Sequence, residues 1–181
     1  MTNRETTDLS RIIRRRRYQI LSRRGWISLG LRILMLILVF WILFSRIFLI
    51  HQLEGNGMYP ALKDGDLLFG FRLQKDYKND DVVLFYQDGQ LMAGRVAARA
   101  GDTVDFDEDG KFYVNGGQQA GEILYPSFPR EGQQYPQQVP EGCVYVLGDY
   151  RTQTRDSRDF GPVPTEDIEG KLIGFLRRRG L

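Results

Sequence analysis

The sequence predicts a mainly β domain that follows a single transmembrane helix. Two observations predict this fold class: the uncharged run ILMLILVFWILF lies between Arg32 and Ser45, and short runs rich in Val, Phe, Tyr and Leu follow it. Such short runs, separated by turn-forming residues, are typical of antiparallel strands. We therefore divide the chain into a basic tail at residues 1–28, a transmembrane helix at 29–50 and a β domain at 51–181.

The basic tail carries a charge of its own. Residues 1–50 contain ten arginines against Glu5 and Asp8, whereas the remaining residues contain 15 basic and 21 acidic side chains. The net charge of +2 therefore hides two segments of opposite sign. This split indicates a charged tail rather than a uniformly basic chain, and we expect no nucleic-acid partner.

The apolar run has the length of a membrane anchor. A helix needs roughly 20 residues to cross the hydrocarbon core of a bilayer, and residues 29–50 supply that length. Arg32 and Arg46 lie near its ends, where their charges can reach the interface. A cleaved signal peptide has a shorter apolar core followed by small residues. Here Arg46 is followed by Ile-Phe-Leu-Ile-His, which favours a permanent anchor.

The distribution of basic residues predicts the orientation of the anchor. Eight arginines precede the helix, whereas Arg46 and Lys63 are the basic residues close to its far end. Basic flanks stay in the cytoplasm. We therefore expect a protein of the cell membrane with a cytoplasmic N-terminus and an extracytoplasmic C-terminal domain.

Seven short runs predict the strands of the β domain: DLLFGFRL, DVVLFY, LMAGRVAARA, TVDFD, KFYVNG, CVYVLGD and KLIGFLRR. The residues between them include Gln-Asp-Gly and Val-Asn-Gly-Gly, which favour hairpin turns. Residues 117–140 are rich in Gln, Gly and Pro and are predicted to form an excursion outside the sheet.

Cysteine and histidine are too rare for a multi-residue metal site. Cys143 is the only cysteine and His51 the only histidine, so no intrachain disulfide can form. We expect Cys143 to fill a strand as a small apolar residue, His51 to lie at the membrane surface, and no metal or other cofactor to be needed.

Five sequence blocks resemble the type I signal peptidase family. Residues 55–66 (GNGMYPALKDGD) resemble its G-x-S-M-x-P-[TA]-L-x-x-G-D block, and residues 94–104 (GRVAARAGDTV) its K-R-V-x-G-x-P-G-D-x-V block. Residues 114–116 (VNG), 139–163 (VPEGCVYVLGDYRTQTRDSRDFGPV) and 168–171 (IEGK) resemble the remaining blocks, in the family's order. The resemblance implies antiparallel β-sheets with a smaller inserted lobe behind an N-terminal membrane helix, and residues 117–140 are candidates for that lobe.

The two positions that carry the family's catalytic dyad differ in this chain. Active members use a serine nucleophile and a neutral lysine that removes its proton. By the resemblance, Gly57 stands at the serine position, where Met58 and Pro60 frame it, and Gly94 stands at the lysine position, just before Arg95. Both degenerate positions lack the group that the chemistry requires.

The resemblance also assigns residues around the lost dyad. It places Met58, Pro60, Arg95 and Val96 in the peptide-binding groove. It assigns the scaffold of the former site to seven residues: Gly148, Asp149, Arg151, Thr154, Asp156, Ser157 and Arg158. Thr154 stands where members carry a hydroxyl that orients the lysine. We expect the two glycines to leave a wider cleft than in active members.

Three hypotheses about function follow. The first is a pseudo-enzyme that binds secreted or membrane-anchored proteins, resembling the degenerate members of Gram-positive bacteria that assist pilus assembly with pilin and sortase partners. The compact domain resembles the smaller family members, from which we expect a Gram-positive host. The alternative is an active type I signal peptidase that cleaves signal peptides by a non-standard mechanism. The third is an engineered inactive form of an ordinary peptidase.

Overall fold

The computed structural model of the chain describes the backbone of residues 3–119 and 125–177, and the side chains of these residues from Gly25 onward. The chain divides into two units, a helical one at Met1–Ser45 and a β-rich one from Arg46. The elements in chain order are α1 (Asn3–Ile47), β1 (Phe48–Gln52), β2 (Leu67–Phe71), β3 (Val82–Gln87), β4 (Gln90–Arg99), β5 (Thr103–Phe106), β6 (Phe112–Val114), β7 (Gly117–Gln118), β8 (Gln137–Gln138), β9 (Cys143–Leu147), α2 (Ser157–Phe160), β10 (Val163–Pro164) and β11 (Ile168–Leu176).

Helix α1 contains a segment of membrane-spanning length. The segment Gly25–Ile47 has 23 residues; its most apolar window has a mean hydropathy of 2.5, and none of that window is buried. An apolar helix that buries no face against protein is suited to a lipid environment. Its end differs from the expected span of 29–50, because residues 48–50 belong to strand β1, where they pair with β2.

Two antiparallel sheets form the β-rich unit. A seven-stranded sheet has the order β1-β2-β11-β3-β4-β9-β10, and a four-stranded sheet has the order β7-β6-β5-β8. The smaller sheet is inserted in the chain between β4 and β9. The prediction of a mainly β fold with a smaller inserted lobe is confirmed.

The turn-forming dipeptides close hairpins as predicted. Asp88 and Gly89 both have positive φ, at 51° and 79°, and join β3 to β4. Asn115 and Gly116, at 52° and 78°, join β6 to β7 in the same way. Positive φ at both central residues matches the twist of the flanking strands, which is why Asp-Gly and Asn-Gly are preferred here.

The two ends of residues 117–140 are strands of the smaller sheet, as their candidacy for the smaller lobe implied, so the expectation of a loop outside any sheet is wrong there; residues 120–124 lie outside the described residues. Gly117–Gln118 pairs with β6, and Gln137–Gln138 pairs with β5. Strands of two residues are too short to show an alternating pattern, which is why the composition alone indicated a loop.

The loop at residues 53–66, between β1 and β2, is held by a buried carboxylate. Asp66 is 2% exposed. It accepts hydrogen bonds from the Arg177 guanidinium at 2.8 Å and from the backbone N–H of Lys63 at 2.9 Å. The guanidinium, which follows β11, holds the pKa of Asp66 below its ordinary value. The loop is therefore tied to the end of the chain's last strand.

The Asp66–Arg177 pair makes stability depend on pH. Because the folded-state pKa of Asp66 is lowered, its contribution is fully present above the unfolded pKa of about 4 and is lost as the pH falls through the folded value. We expect Arg177→Gln to lower the unfolding midpoint near neutral pH and to flatten its decline below about pH 4. Thermal unfolding of both proteins across pH tests this. Glu141→Gln, at an exposed carboxylate, is the control; equal acid profiles for all three proteins would contradict the assignment.

Candidate functional site

Gly57 lies in the 53–66 loop and contacts the segment that follows β9. Its carbonyl oxygen accepts a hydrogen bond from the backbone N–H of Tyr150 at 3.0 Å. A Cβ added at Gly148 would lie 2.6 Å from the same carbonyl oxygen. Because these backbones touch, the loop is fixed against residues 148–156, which we call the 148–156 segment.

Gly94 lies in the interior of strand β4, opposite Val83 of β3. The following residue, Arg95, pairs with Leu147 at the end of β9. A Cβ added at Gly94 would lie 3.6 Å from the Leu147 carbonyl oxygen. The end of β9 therefore lies beside both glycines, and the structure brings Gly57 and Gly94 to one region.

The space in front of each glycine is filled by a neighbouring side chain. A Cβ added at Gly94 would overlap Cγ1 of Val146, and one added at Gly57 would lie 2.8 Å from Oγ1 of Thr154. Real Cβ atoms do not approach other atoms so closely. The expectation of a wider cleft is therefore wrong, because Val146 and Thr154 pack into the room that larger side chains would need.

The groove residues named from the resemblance divide into two kinds. Met58 and Val96 are 1% and 0% exposed and lie in separate hydrophobic core clusters. Pro60 is exposed and Arg95 half-buried. Of these four residues, only Pro60 and Arg95 therefore reach the surface. Met58 and Val96 pack beneath it.

An ion pair joins β4 to the 148–156 segment. The Arg95 guanidinium donates to both carboxylate oxygens of Asp149, at 2.8 and 2.7 Å. This hydrogen bonding raises the pKa of Arg95 above its ordinary value. A two-point contact between a planar guanidinium and a carboxylate fixes orientation as well as distance. The pair therefore holds the residue next to Gly94 against the segment that contacts Gly57.

A second ion pair is fully buried. Arg158 and Asp156 have side chains that are 2% and 3% exposed and are 2.9 Å apart. Asp156 also accepts hydrogen bonds from the backbone N–H groups of Gly148 and Arg158, each at 3.1 Å, and caps the short helix α2. Burial of two charges is tolerated when their remaining hydrogen-bonding groups are satisfied. The pair fixes both ends of the 148–156 segment.

The remaining hydroxyl and thiol groups are held in structural contacts. Ser157 is 0% exposed and its Oγ accepts a hydrogen bond from the Val146 backbone N–H at 2.9 Å. Thr154 is 5% exposed, and its hydroxyl donates a long 3.4 Å hydrogen bond to the Arg155 carbonyl. Burial raises the pKa of the Cys143 thiol, which disfavours the reactive thiolate at neutral pH.

Arg151 is the buried one of the two basic side chains in the 148–156 segment. It is 4% exposed, and it donates to the Gly148 carbonyl at 3.0 Å, to Ser127 Oγ at 2.6 Å and to Gln119 Oε1 at 3.1 Å. Burial lowers the pKa of its guanidinium to about 10. It therefore ties the smaller lobe to the 148–156 segment.

Three tyrosines that the sequence analysis did not single out surround the Gly57 region. The rings of Tyr59 and Tyr150 lie 5.9 Å apart, and those of Tyr125 and Tyr150 lie 4.5 Å apart. Tyr59 directly follows Met58, and Tyr150 stands where the family pattern has asparagine. The tyrosine in place of asparagine at residue 150 was the one feature of the sequence that could have pointed to this cluster. Tyr125 lies 25 residues earlier, in a segment without a motif.

The candidate site contains no grouping that would hold a metal. Over residues 3–119 and 125–177, no three His, Cys, Asp or Glu side chains come together. The carboxylates of Asp149 and Asp156 are each engaged by an arginine. The described chemistry of the region is therefore that of ion pairs, buried hydroxyls and exposed aromatic rings.

Comparison with known proteins identifies relatives of the chain. Residues 26–176 match the family described as signal peptidase, peptidase S26. Signal peptidase I of Bacillus caldolyticus is 31% identical over 138 residues, which cover 67% of this chain and 75% of that protein. Signal peptidase I V of Bacillus subtilis (strain 168) is 28% identical over 144 residues, covering 71% and 85% of the two chains.

Two further relatives differ in coverage. Thylakoidal processing peptidase 1 of Arabidopsis thaliana is 29% identical over 138 residues, and the match spans 67% of this chain but 40% of that protein. The crystal structure of a signal peptidase I from Enterococcus faecalis V583 has 30% identity and a TM-score of 0.44, and its match covers 54% of this chain and 97% of that one.

The overlap at Gly94 predicts an energetic coupling with Val146. We expect Gly94→Ala to destabilise the fold by about 1–3 kcal/mol, because the added methyl group overpacks the core. In the double variant Gly94→Ala/Val146→Ala the cost is smaller than the sum of the two single costs, by roughly 1 kcal/mol or more. Denaturant unfolding of the four proteins measures this coupling.

The control for this experiment is Gly174→Ala in strand β11. A Cβ added there would meet nothing within 4 Å, so we expect little loss of stability. Additive effects of Gly94→Ala and Val146→Ala would show that Val146 does not fill the space opposite Gly94.

Proposed function

Because the chain belongs to the signal peptidase family, peptidase S26, we propose that it binds secreted polypeptides at a family site that has lost its cleavage chemistry. One observation carries the proposal. At the position of the family's general base there is a glycine, and Val146 occupies the space into which a side chain would extend. Val146 fills the volume that a lysine side chain at residue 94 would need.

Peptide cleavage by this family needs a nucleophile and a base in contact. A serine hydroxyl attacks only when a neighbouring group takes its proton, and removal of either partner abolishes most of their joint effect. Gly57 and Gly94 supply neither an oxygen nor an amine. An oxyanion hole alone retains only about 10³–10⁴-fold over water, which is negligible for a peptide bond.

The neighbouring groups do not favour a replacement mechanism. Ser157 is buried and accepts a backbone hydrogen bond, and Cys143 has a raised pKa. Thr154 lies against Gly57, but among the described residues its hydroxyl contacts the Arg155 carbonyl rather than a base. The names of the relatives favour the second candidate, an active signal peptidase. The packing around Gly57 and Gly94 argues against it.

The preserved parts of the site are those that a binding protein needs. The ion pairs Arg95–Asp149 and Asp156–Arg158 hold the scaffold in place. Beside Gly57, the ring of Tyr59 is 37% exposed and contacts Tyr150. Exposed aromatic rings offer large apolar contact area with a polar end, which suits the binding of a polypeptide segment.

The proposal extends to partner and location. We place the protein in the cell membrane of a Gram-positive bacterium, with the N-terminus in the cytoplasm and the β-rich unit outside. The substrates of the family are secreted pre-proteins, and a bound segment that is not cleaved stays attached to its own protein. A pilin subunit, delivered to sortase machinery, is the specific partner that we propose.

The first test is revival of cleavage. We expect Gly57→Ser/Gly94→Lys to remain inactive towards a pre-protein with an Ala-x-Ala site, since the lysine stem overlaps Val146. Adding Val146→Ala makes room for it, and we expect cleavage at least about tenfold above the double variant. Product masses report the cleavage. A double variant as active as the triple one would show that the space at Gly94 was already open.

The second test is binding at the tyrosines. We expect Tyr59→Ser to weaken binding of a pilin subunit to the full-length protein in detergent by roughly tenfold, since an aromatic anchor at an interface contributes about 1–3 kcal/mol. Tyr86→Ser is the matched control, at a 49% exposed tyrosine on strand β3. Equal loss in both variants, or no loss in either, would contradict the placement of the binding surface beside Gly57.

A further inference from the structure

A cavity of about 270 Å³ opens beside the 148–156 segment, on the side of the smaller lobe. Three arginines line it, Arg130, Arg151 and Arg158, together with Thr152 and apolar side chains from residues 126–129. No carboxylate of the described residues lines this cavity. Its wall is therefore cationic in one part and apolar in the other.

Two of the three lining arginines are already paired with carboxylates, and so is the neighbouring Arg95. The pairs are Asp156 with Arg158, Asp159 with Arg130, and Asp149 with Arg95. Each pair is held by at least one direct contact between a guanidinium and a carboxylate. Among the described residues, each of these arginines has a carboxylate partner, whereas Arg151 forms no ion pair.

Arg151 contacts neutral oxygens in the described part of the chain. Its partners are the Gly148 carbonyl, the Ser127 hydroxyl and the Gln119 side-chain carbonyl. These contacts use three of the five N–H groups of a guanidinium. The side chain is 4% exposed, so water supplies little compensation for its charge. Asp156 and Asp149 attract the guanidinium from a distance, but no carboxylate of the described residues contacts it directly, and burial of a charge without a direct partner is costly.

We propose that this cavity binds a small anionic oxygen group, a carboxylate or a phosphate, against Arg151. A guanidinium presents parallel N–H groups that match two oxygens of such an anion, and the contact is stronger in a site with little water. The apolar wall from residues 126–129 suits the carbon part of a carboxylate ligand. This site is separate from the proposed peptide-binding surface and does not depend on it.

The experiment uses the full-length protein in detergent, titrated with succinate or with inorganic phosphate at an ionic strength held constant with chloride. A ligand that binds the folded state raises the unfolding midpoint in proportion to the logarithm of its concentration above its dissociation constant. We expect a rise of this logarithmic form with at least one of the two anions. A larger response to succinate identifies the ligand as a carboxylate, and a larger response to phosphate identifies it as a phosphate.

A carboxylate introduced at the cavity rim by substitution can take the place of a bound anion. Thr152 lines the cavity and is exposed, so Thr152→Glu places a carboxylate beside Arg151 at little steric cost. We expect this variant to unfold at a higher temperature than Thr152→Gln and to lose the response to both anions. Gln153→Glu, at the next exposed position outside the cavity, keeps the response of the parent.

Three results would overturn the proposal. The first is a parent protein that responds to neither anion beyond the effect of chloride. The second is an equal response in Thr152→Glu and Gln153→Glu. The third concerns Glu122, which lies outside the described residues: a response that appears only after Glu122→Gln would mean that the chain's own carboxylate fills the cavity.

Discussion

The buried carboxylate of Asp156 is the contact on which the region around the two glycines depends. It receives the Arg158 guanidinium and the backbone N–H of Gly148, so it ties the end of β9 to the start of α2. The segment between these points carries Thr154 and Tyr150 onto Gly57. Removing one partner of a buried ion pair typically costs about 3–5 kcal/mol, because the other charge is left uncompensated. The Asp156 carboxylate is therefore a main support of the 148–156 segment.

The position of the 148–156 segment limits which side chains residues 57 and 94 can carry. Where Thr154 and Val146 are held in place, a side chain at residue 57 or 94 competes with them for the same volume. A protein interior has few voids, so an added methyl group displaces its neighbours. The packing at both positions therefore favours glycine over any larger residue. The ion pairs remain because they maintain the fold whether or not cleavage takes place.

Much of the fold could be predicted from local signals in the sequence. The apolar run predicted the helix, and Asp88-Gly89 and Asn115-Gly116 predicted two hairpins, because positive φ at adjacent residues is a local requirement. The two-residue strands at 117–118 and 137–138 could not be predicted, since pairing to distant strands decides them. The end of the membrane helix was also displaced, because Phe48 to Ile50 suit a strand as well as a helix and pair with β2.

The sequence indicated which residues belong to the candidate site, but not how their side chains pack. The resemblance assigned Asp149, Asp156 and Arg158 to one scaffold, and in the structure Asp149 pairs with Arg95 while Asp156 pairs with Arg158. The filling of the space at Gly94 by Val146 depends on the register between β4 and β9, which no motif encodes. The contribution of the smaller lobe, through Ser127 and Gln119 on Arg151, joins residues more than 20 positions apart. Sequence pattern identifies such residues only when they form part of a known motif.

The most direct measurement of the central claim is the fate of a pre-protein bound by the unmodified chain. The full-length protein, purified free of other peptidases and reconstituted in vesicles, is incubated with a pre-protein that bears an Ala-x-Ala site. The mass of the pre-protein is then measured in the bound and free fractions. The account predicts that the bound pre-protein is recovered intact. Cleavage at the Ala-x-Ala site that persists after every co-purified peptidase is removed would contradict it and would require a nucleophile other than residue 57.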